Sequence, residues 1–134
     1  MIVGIGTDIV KVERVRRLLE RYPNFVERVF CAGEITHCQG KANPEQSYAT
    51  RFAAKEAVMK ALGTGWDGMV NWRDIEVFTD KNGKPDILLR GGALERLTAL
   101  AADRVHLSLT HEKEYALAFV VLERQKLDSL RVSG

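Results

Sequence analysis

Glu45-Gln46-Ser47-Tyr48-Ala49-Thr50-Arg51-Phe52-Ala53-Ala54-Lys55-Glu56-Ala57-Val58-Met59-Lys60-Ala61-Leu62 contains neither glycine nor proline, is rich in alanine, and is followed at once by Gly63. Alanine and unbranched side chains lose little freedom in a helix, and glycine after such a run is the usual left-handed cap, so residues 45–62 read as a long helix. The sequence on either side reads as strand joined by turns. Residues 2–8 form a strand of Ile, Val and Gly. Residues 75–79 and 85–90 flank Asp80-Lys81-Asn82-Gly83-Lys84, where Asn82-Gly83 supplies a positive-φ hairpin turn. Residues 104–110 and 115–123 form a second hairpin around His111-Glu112-Lys113-Glu114. Helical spacing places Val12, Val15, Leu18 and Leu19 in a helix over 10–22. Pro23 ends that helix and opens a short one carrying Phe25, Val26 and Val29, and another helix runs through Leu94, Leu97 and Leu100. Residues 31–44 read as a loop, because Gly33, Gly40, Asn43 and Pro44 break any period. Antiparallel strands around one long central helix make an α+β domain.

The 134 residues fit a single domain, which the pattern places at 1–123, with a polar, frayed tail at 124–134. A hydrophobic fraction of 46% beside 28% charged residues is the profile of a soluble globular protein. No apolar run has the length of a membrane span, and the apolar start is cut off by Asp8, so neither an anchor nor a signal peptide is expected and the cytoplasm is the expected compartment. Cys31 and Cys38 then read as two free thiols, and with His37 they match no zinc spacing. A net charge of +2 argues for no strongly basic partner surface overall.

Asp8 is the first residue that invites chemistry. Residues 4, 6 and 8 share one strand face, so its neighbours are Gly4 and Gly6, a bare stretch of backbone beside a charge. Asp8 also suits a cap for the helix that follows, with glycines that merely permit tight packing. On the long helix, Glu56 and Lys60 share a face with Ala49, Phe52 and Ala53. They fit either a partly buried ion pair or a metal-binding carboxylate with a phosphate-binding lysine one turn on. Arg51 and Lys55 lie on the neighbouring face as further phosphate contacts, and Gly63-Thr64-Gly65 offers backbone N–H groups to an anion. His106, Ser108 and Thr110 alternate with Val105, Leu107 and Leu109, giving a polar face that suits a ligand or plain solvent. Arg14, Arg17 and Arg21, with Arg28 one element on, form a basic face that is either solvated or built for an acidic partner helix or nucleic acid; no aromatic interleaves the arginines, which argues against nucleic acid.

These segments resemble the small bacterial 4'-phosphopantetheinyl transferases, the holo-acyl-carrier-protein synthase family. Gly4-Ile5-Gly6-Thr7-Asp8-Ile9 is similar to the family's first signature, and residues 51–61, Arg51 to Ala61, to its second. Asn82-Gly83-Lys84-Pro85 and residues 106–111 fit weaker later motifs, in the same order and spacing. The resemblance implies the family's α+β fold and a homotrimer with active sites between subunits. It implies Mg2+ held by Asp8 and Glu56, and coenzyme A as co-substrate with its pyrophosphate near Lys60. Arg51 and His106 would lie near the adenosine-phosphate end, with Gly63, Thr64, Gly65, Pro85, Ser108 and Thr110 completing the coenzyme A contacts. Arg14, Arg17, Arg21 and Arg28 would meet apo acyl carrier protein. The reaction would move the phosphopantetheine arm to a carrier serine, release adenosine 3',5'-bisphosphate and serve fatty acid biosynthesis, with the base left open between Glu56 and a water. A binding module that holds coenzyme A without turnover, or a hydrolase of pyrophosphates, uses fewer of these residues.

Overall fold

Nineteen residues of one helix organise the chain. In the computed structural model, which describes residues 1–64 and 68–125, helix α4 spans Pro44–Leu62 and is buried on nearly every side. Its N-terminus follows from Asn43, whose Oδ1 accepts from the Gln46 N–H at 3.3 Å, and from Pro44 in the first turn. Its C-terminus follows from Gly63 at φ 73°. There the Gly63 N–H donates to Lys60 O at 3.1 Å and the Thr64 N–H to Met59 O at 3.2 Å, the paired bonds of a Schellman cap.

Three strands wrap one side of this helix: β1 (Ile2–Lys11), β4 (Arg104–His111) and β5 (Tyr115–Glu123), in the order β1-β5-β4 and antiparallel throughout. Ala116, Ala118, Val120 and Leu122 of the central strand face α4 and are buried, as are Ala53, Ala54, Ala57 and Ala61 across from them. Small residues on both surfaces let the helix lie close to the sheet. The remaining helices are α1 (Val12–Arg21), α2 (Phe25–Val29), α3 (Ala32–Gln39) and α5 (Gly91–Ala99), and β2 (Ile75–Thr79) pairs with β3 (Pro85–Leu89) as a separate hairpin.

Four local expectations change. The first strand runs to Lys11 and the first helix starts at Val12 rather than residue 10. Residues 32–39 form α3 instead of a loop. Glu34 is fully buried there, and its Oε1 accepts from the Cys31 N–H at 2.8 Å, so a tertiary anchor overrides the weak local pattern. In the β2–β3 turn only Gly83 has positive φ, while Asp80 Oδ1 accepts from the N–H groups of Asn82 and Lys84. The expected tail starts in order: the Arg124 N–H donates to Met1 O at 2.8 Å and that of Gln125 to Asp103 Oδ1 at 3.2 Å. Residues 126–134 of that tail lie outside the described residues. Among the described residues no helix is long and apolar enough to cross a membrane. Cys31 and Cys38 are buried, unpaired thiols, as expected.

Candidate active site

The inward face of β1 carries Gly4, Gly6, Asp8 and Val10 towards α4. The glycines are not a bare platform for a ligand. A Cβ on Gly6 would collide with the Ala57 carbonyl oxygen and stand 2.8 Å from Ala61 N, and one on Gly4 would stand 2.5 Å from Ala61 O. The helix backbone itself fills the space, which corrects the open-patch reading and supports the tight-packing one. Nor does Asp8 cap α1, whose N-cap is Lys11 with no side-chain bond. Instead the close approach of α4 delivers Lys60 to it. Lys60 Nζ donates to Asp8 Oδ1 and to Thr7 O, each at 3.0 Å. The Asp8 side chain is 12% exposed and that of Lys60 55%, so the ammonium sits at the rim with room to move.

Glu56 stands one helical turn before Lys60 and is half-buried. Burial raises its carboxyl above the ordinary range, the Asp8 carboxylate beside it adds to the rise, and Arg14 and Lys60 oppose it. Lys60 therefore serves Asp8 as ion-pair partner, correcting the Glu56–Lys60 bridge. Two acids from different elements, repelling each other in a partly dry site, make an oxygen donor set that suits a hard cation such as magnesium. Among the described residues no cluster of three or more potential ligand side chains exists, so any remaining ligands would be substrate oxygens or water.

The other predicted contacts divide by burial. Lys55 is 0% exposed and committed to Glu34, which removes it as a phosphate ligand. Arg51 is also buried, beside α3, where burial first and then the Arg51 charge hold the His37 imidazole below the ordinary range. Arg51 Nε and Thr64 Oγ1 are the two buried side-chain atoms left without a hydrogen-bond partner among the described residues. The Gly63 and Thr64 N–H groups close α4, so they are not free to meet an anion, and what Thr64 offers is its hydroxyl. Gly65 lies outside the described residues.

His106, Ser108 and Thr110 are exposed, as the alternation predicts, but they lie on the sheet face turned away from α4. His106 Nε2 lies 2.8 Å from Glu123 Oε1. Pro85 opens β3, opposite Thr79. Arg51 and His106 of one chain are thus on opposite sides of the β1-β5-β4 sheet and do not meet at one ligand.

Arg14, Arg17, Arg21 and Arg28 are all exposed on α1 and α2. Arg17 has only a 3.9 Å contact with Glu13, whereas Arg16, which the pattern passed over, is held between Glu13 and Glu20. Arg14 lies 5.9 Å from the Phe52 ring centroid, and Phe52 stacks on Trp72 at 5.1 Å. Arg14 and Arg28 edge an open groove of about 1010 Å³ whose lining includes Phe25, Phe52 and Trp72. The periodic pattern missed this aromatic floor because Trp72 comes from a short turn of helix at Trp72–Asp74 with no period of its own.

The sequence model of the 4'-phosphopantetheinyl transferase superfamily matches residues 4–120, and the chain belongs to that superfamily. Within it, relatives named holo-[acyl-carrier-protein] synthase stand at full length. That of Solibacter usitatus is 46% identical over 124 residues, covering 92% of this chain and 99% of its own. That of Methylobacterium radiotolerans is 48% identical over 128 residues, covering 92% and 94%. Among solved structures, the Neisseria meningitidis synthase superposes with a TM-score of 0.85 at 39% identity, over 92% of this chain and 100% of that one. The Bacillus anthracis synthase, solved in complex with CoA (3',5'-ADP), gives a TM-score of 0.78 at 39% identity, over 93% and 99%.

Proposed function

We propose that this chain moves the 4'-phosphopantetheine arm of coenzyme A to a serine of apo acyl carrier protein, in fatty acid biosynthesis, with Mg2+ held by Asp8 and Glu56. The observation that carries the proposal is the convergence of Asp8 from β1 and Glu56 from α4 beside Lys60, within a superfamily of phosphopantetheinyl transferases. The ion would supply charge neutralisation on the pyrophosphate as the P–O bond breaks. The chain's own residues supply the rest. Lys60, half-exposed, can leave Asp8 for the departing phosphate, where a mobile ammonium follows growing negative charge. The carrier serine attacks the phosphorus bearing the pantetheine arm, its proton passes to Glu56 or to a water, and adenosine 3',5'-bisphosphate leaves.

Acyl carrier protein would dock on the α1–α2 face. Its acidic helix would meet Arg14, Arg17, Arg21 and Arg28, and an apolar side chain would enter the groove over Phe52 and Trp72. Arg14 links the two regions, since it lies over Phe52 and its charge reaches Glu56. The chain would work as a homotrimer with sites shared between protomers. Two observations support this. Ile5, Ile9 and Phe119 are 57%, 60% and 42% exposed on the outer sheet face, an apolar surface that a neighbouring copy would cover. Arg51 and His106, on opposite sides of that sheet, reach one coenzyme A only if each comes from a different protomer. Two buried free thiols fit a reducing compartment, so the cytoplasm is the proposed location.

Intact-mass spectrometry tests the reading. Apo acyl carrier protein incubated with the chain, coenzyme A and Mg2+ should gain one phosphopantetheine, and chelator should abolish the gain. A folded chain that binds coenzyme A yet modifies no carrier would point to a binding module. Release of adenosine 3',5'-bisphosphate without carrier would point to a hydrolase.

A further inference from the structure

Lys55 directly precedes Glu56, and nothing in the reaction uses it, yet its ammonium is buried and tied to three acceptors. Its side chain is 0% exposed. Its ammonium has three N–H donors. One meets Glu34 Oε1 at 2.8 Å, one Trp72 O at 3.1 Å, and one Ile75 O. Glu34, also 0% exposed, is held in turn. Its Oε1 accepts from the Cys31 N–H at 2.8 Å and its Oε2 from the Val77 N–H at 2.9 Å. The start of α3, the middle of α4 and the first residues of β2 are therefore tied at one buried point.

We infer that Lys55 is a positioning residue: through Glu34 and the Trp72 and Ile75 carbonyls it fixes the rotation of α4 that presents Glu56 to Asp8. The inference rests on the reading that Asp8 and Glu56 hold the metal. Consecutive helical residues point about 100° apart, so anchoring Lys55 towards α3 and β2 sets the direction of Glu56 towards β1. Such an anchor has work to do, because α4 is buried on nearly every side and no solvent-facing stripe sets its rotation. A helix turn of about 20° swings a side-chain tip about 2 Å at a radius of about 5–6 Å. That is far outside the tolerance of a magnesium site. The same network holds the Trp72 carbonyl and so the aromatic floor next to Arg14.

The test compares Lys55→Met with Glu34→Gln in one chain, Lys55→Gln with Glu34→Gln in another, and Glu56→Gln as the control for the metal reading. Removing both charges avoids stranding one of them in the core. Mg2+ is titrated by calorimetry into each folded variant saturated with coenzyme A, and turnover is followed against Mg2+ and carrier concentration. Expected are folded paired variants whose Mg2+ affinity falls about tenfold, the scale of losing a group that orients a ligand. Excess Mg2+ should restore their turnover, and coenzyme A affinity without Mg2+ should stay within twofold of wild type.

A purely structural pair would lower the melting temperature and leave Mg2+ affinity of the folded protein at the wild-type value, which would overturn the inference. Failure of both paired variants to fold would overturn it as well, since the network would then hold the whole fold rather than one helix's rotation. Should Glu56→Gln bind Mg2+ as wild type does, the metal reading itself fails, and this is visible without either Lys55 variant.

Discussion

Gly6→Ala tests the geometry on which the site depends. The added methyl would meet the Ala57 carbonyl oxygen well inside contact distance and would also stand 2.8 Å from Ala61 N, where real Cβ atoms stay beyond 3.0 Å. Both obstacles are helix backbone, which cannot rotate away as a side chain would. The strand and α4 must therefore separate by something on the order of 1 Å, and a misplacement of that size near reacting groups lowers turnover about 100-fold. Ala57 follows Glu56 directly, so the shift is applied where the two acids meet. Overpacking of this kind costs about 1–3 kcal/mol of stability. The assay is the initial rate of holo-carrier formation by mass spectrometry, with urea unfolding on the same preparations. Gly4→Ala, whose methyl would stand 2.5 Å from Ala61 O, should lose less of both, because it perturbs the end of the helix further from Glu56. Turnover within twofold of wild type in folded Gly6→Ala would refute the argument that close helix–strand approach sets the site.

Three further outcomes follow from the charges. Glu56 has its carboxyl pushed up by burial and by Asp8, so it stabilises the metal-free fold below its ordinary value of 4.5 and that contribution is lost as pH rises through the raised folded value. Metal-free Glu56→Gln should therefore melt higher than wild type at pH 7, with the gain fading towards pH 4; an equal or lower melting temperature at pH 7 would contradict the buried-acid account. Arg14→Glu combined with Arg21→Glu should raise the KM for carrier about tenfold or more at low salt and leave coenzyme A affinity within twofold. That penalty should shrink as salt screens it, and equal loss of both substrates would move the docking face elsewhere. On the proposed homotrimer, Arg51→Ala and His106→Ala should each be nearly inactive, yet refolding them together should recover activity, since mixed assemblies would contain sites with both residues intact. No recovery on mixing would overturn the shared-site reading.

Much of the architecture was legible because it rests on local chemistry. The run from Glu45 to Leu62, its glycine cap, the Asn82-Gly83 turn and the alternation along 104–110 each carry their own physical reason in a few residues. Asp8, Glu56 and Lys60 could be singled out for the same reason: charges set among small and apolar neighbours. Helix α3 could not, because Gly33 and Gly40 hide its period and its anchor, Glu34, finds its partners in β2 and α4.

The orientation of α4 was the larger gap. A helix buried nearly all round has no solvent face to fix its rotation from sequence, so Lys55 and Lys60 both read as phosphate contacts. Tertiary packing separated them by burying one ammonium against Glu34 and leaving the other at the rim beside Asp8. The sequence by itself determined most of the elements and the family, and it singled out Asp8 and Glu56 as candidates, since these depend on composition and short-range spacing. Only the tertiary structure decided that Asp8 comes near enough to Glu56 to repel it, that the glycines are filled by helix backbone, and that Arg51 and His106 stand on opposite sides of one sheet. Those relations join residues 48 to 57 positions apart, and long-range contacts are settled by how whole surfaces pack rather than by any window of the chain.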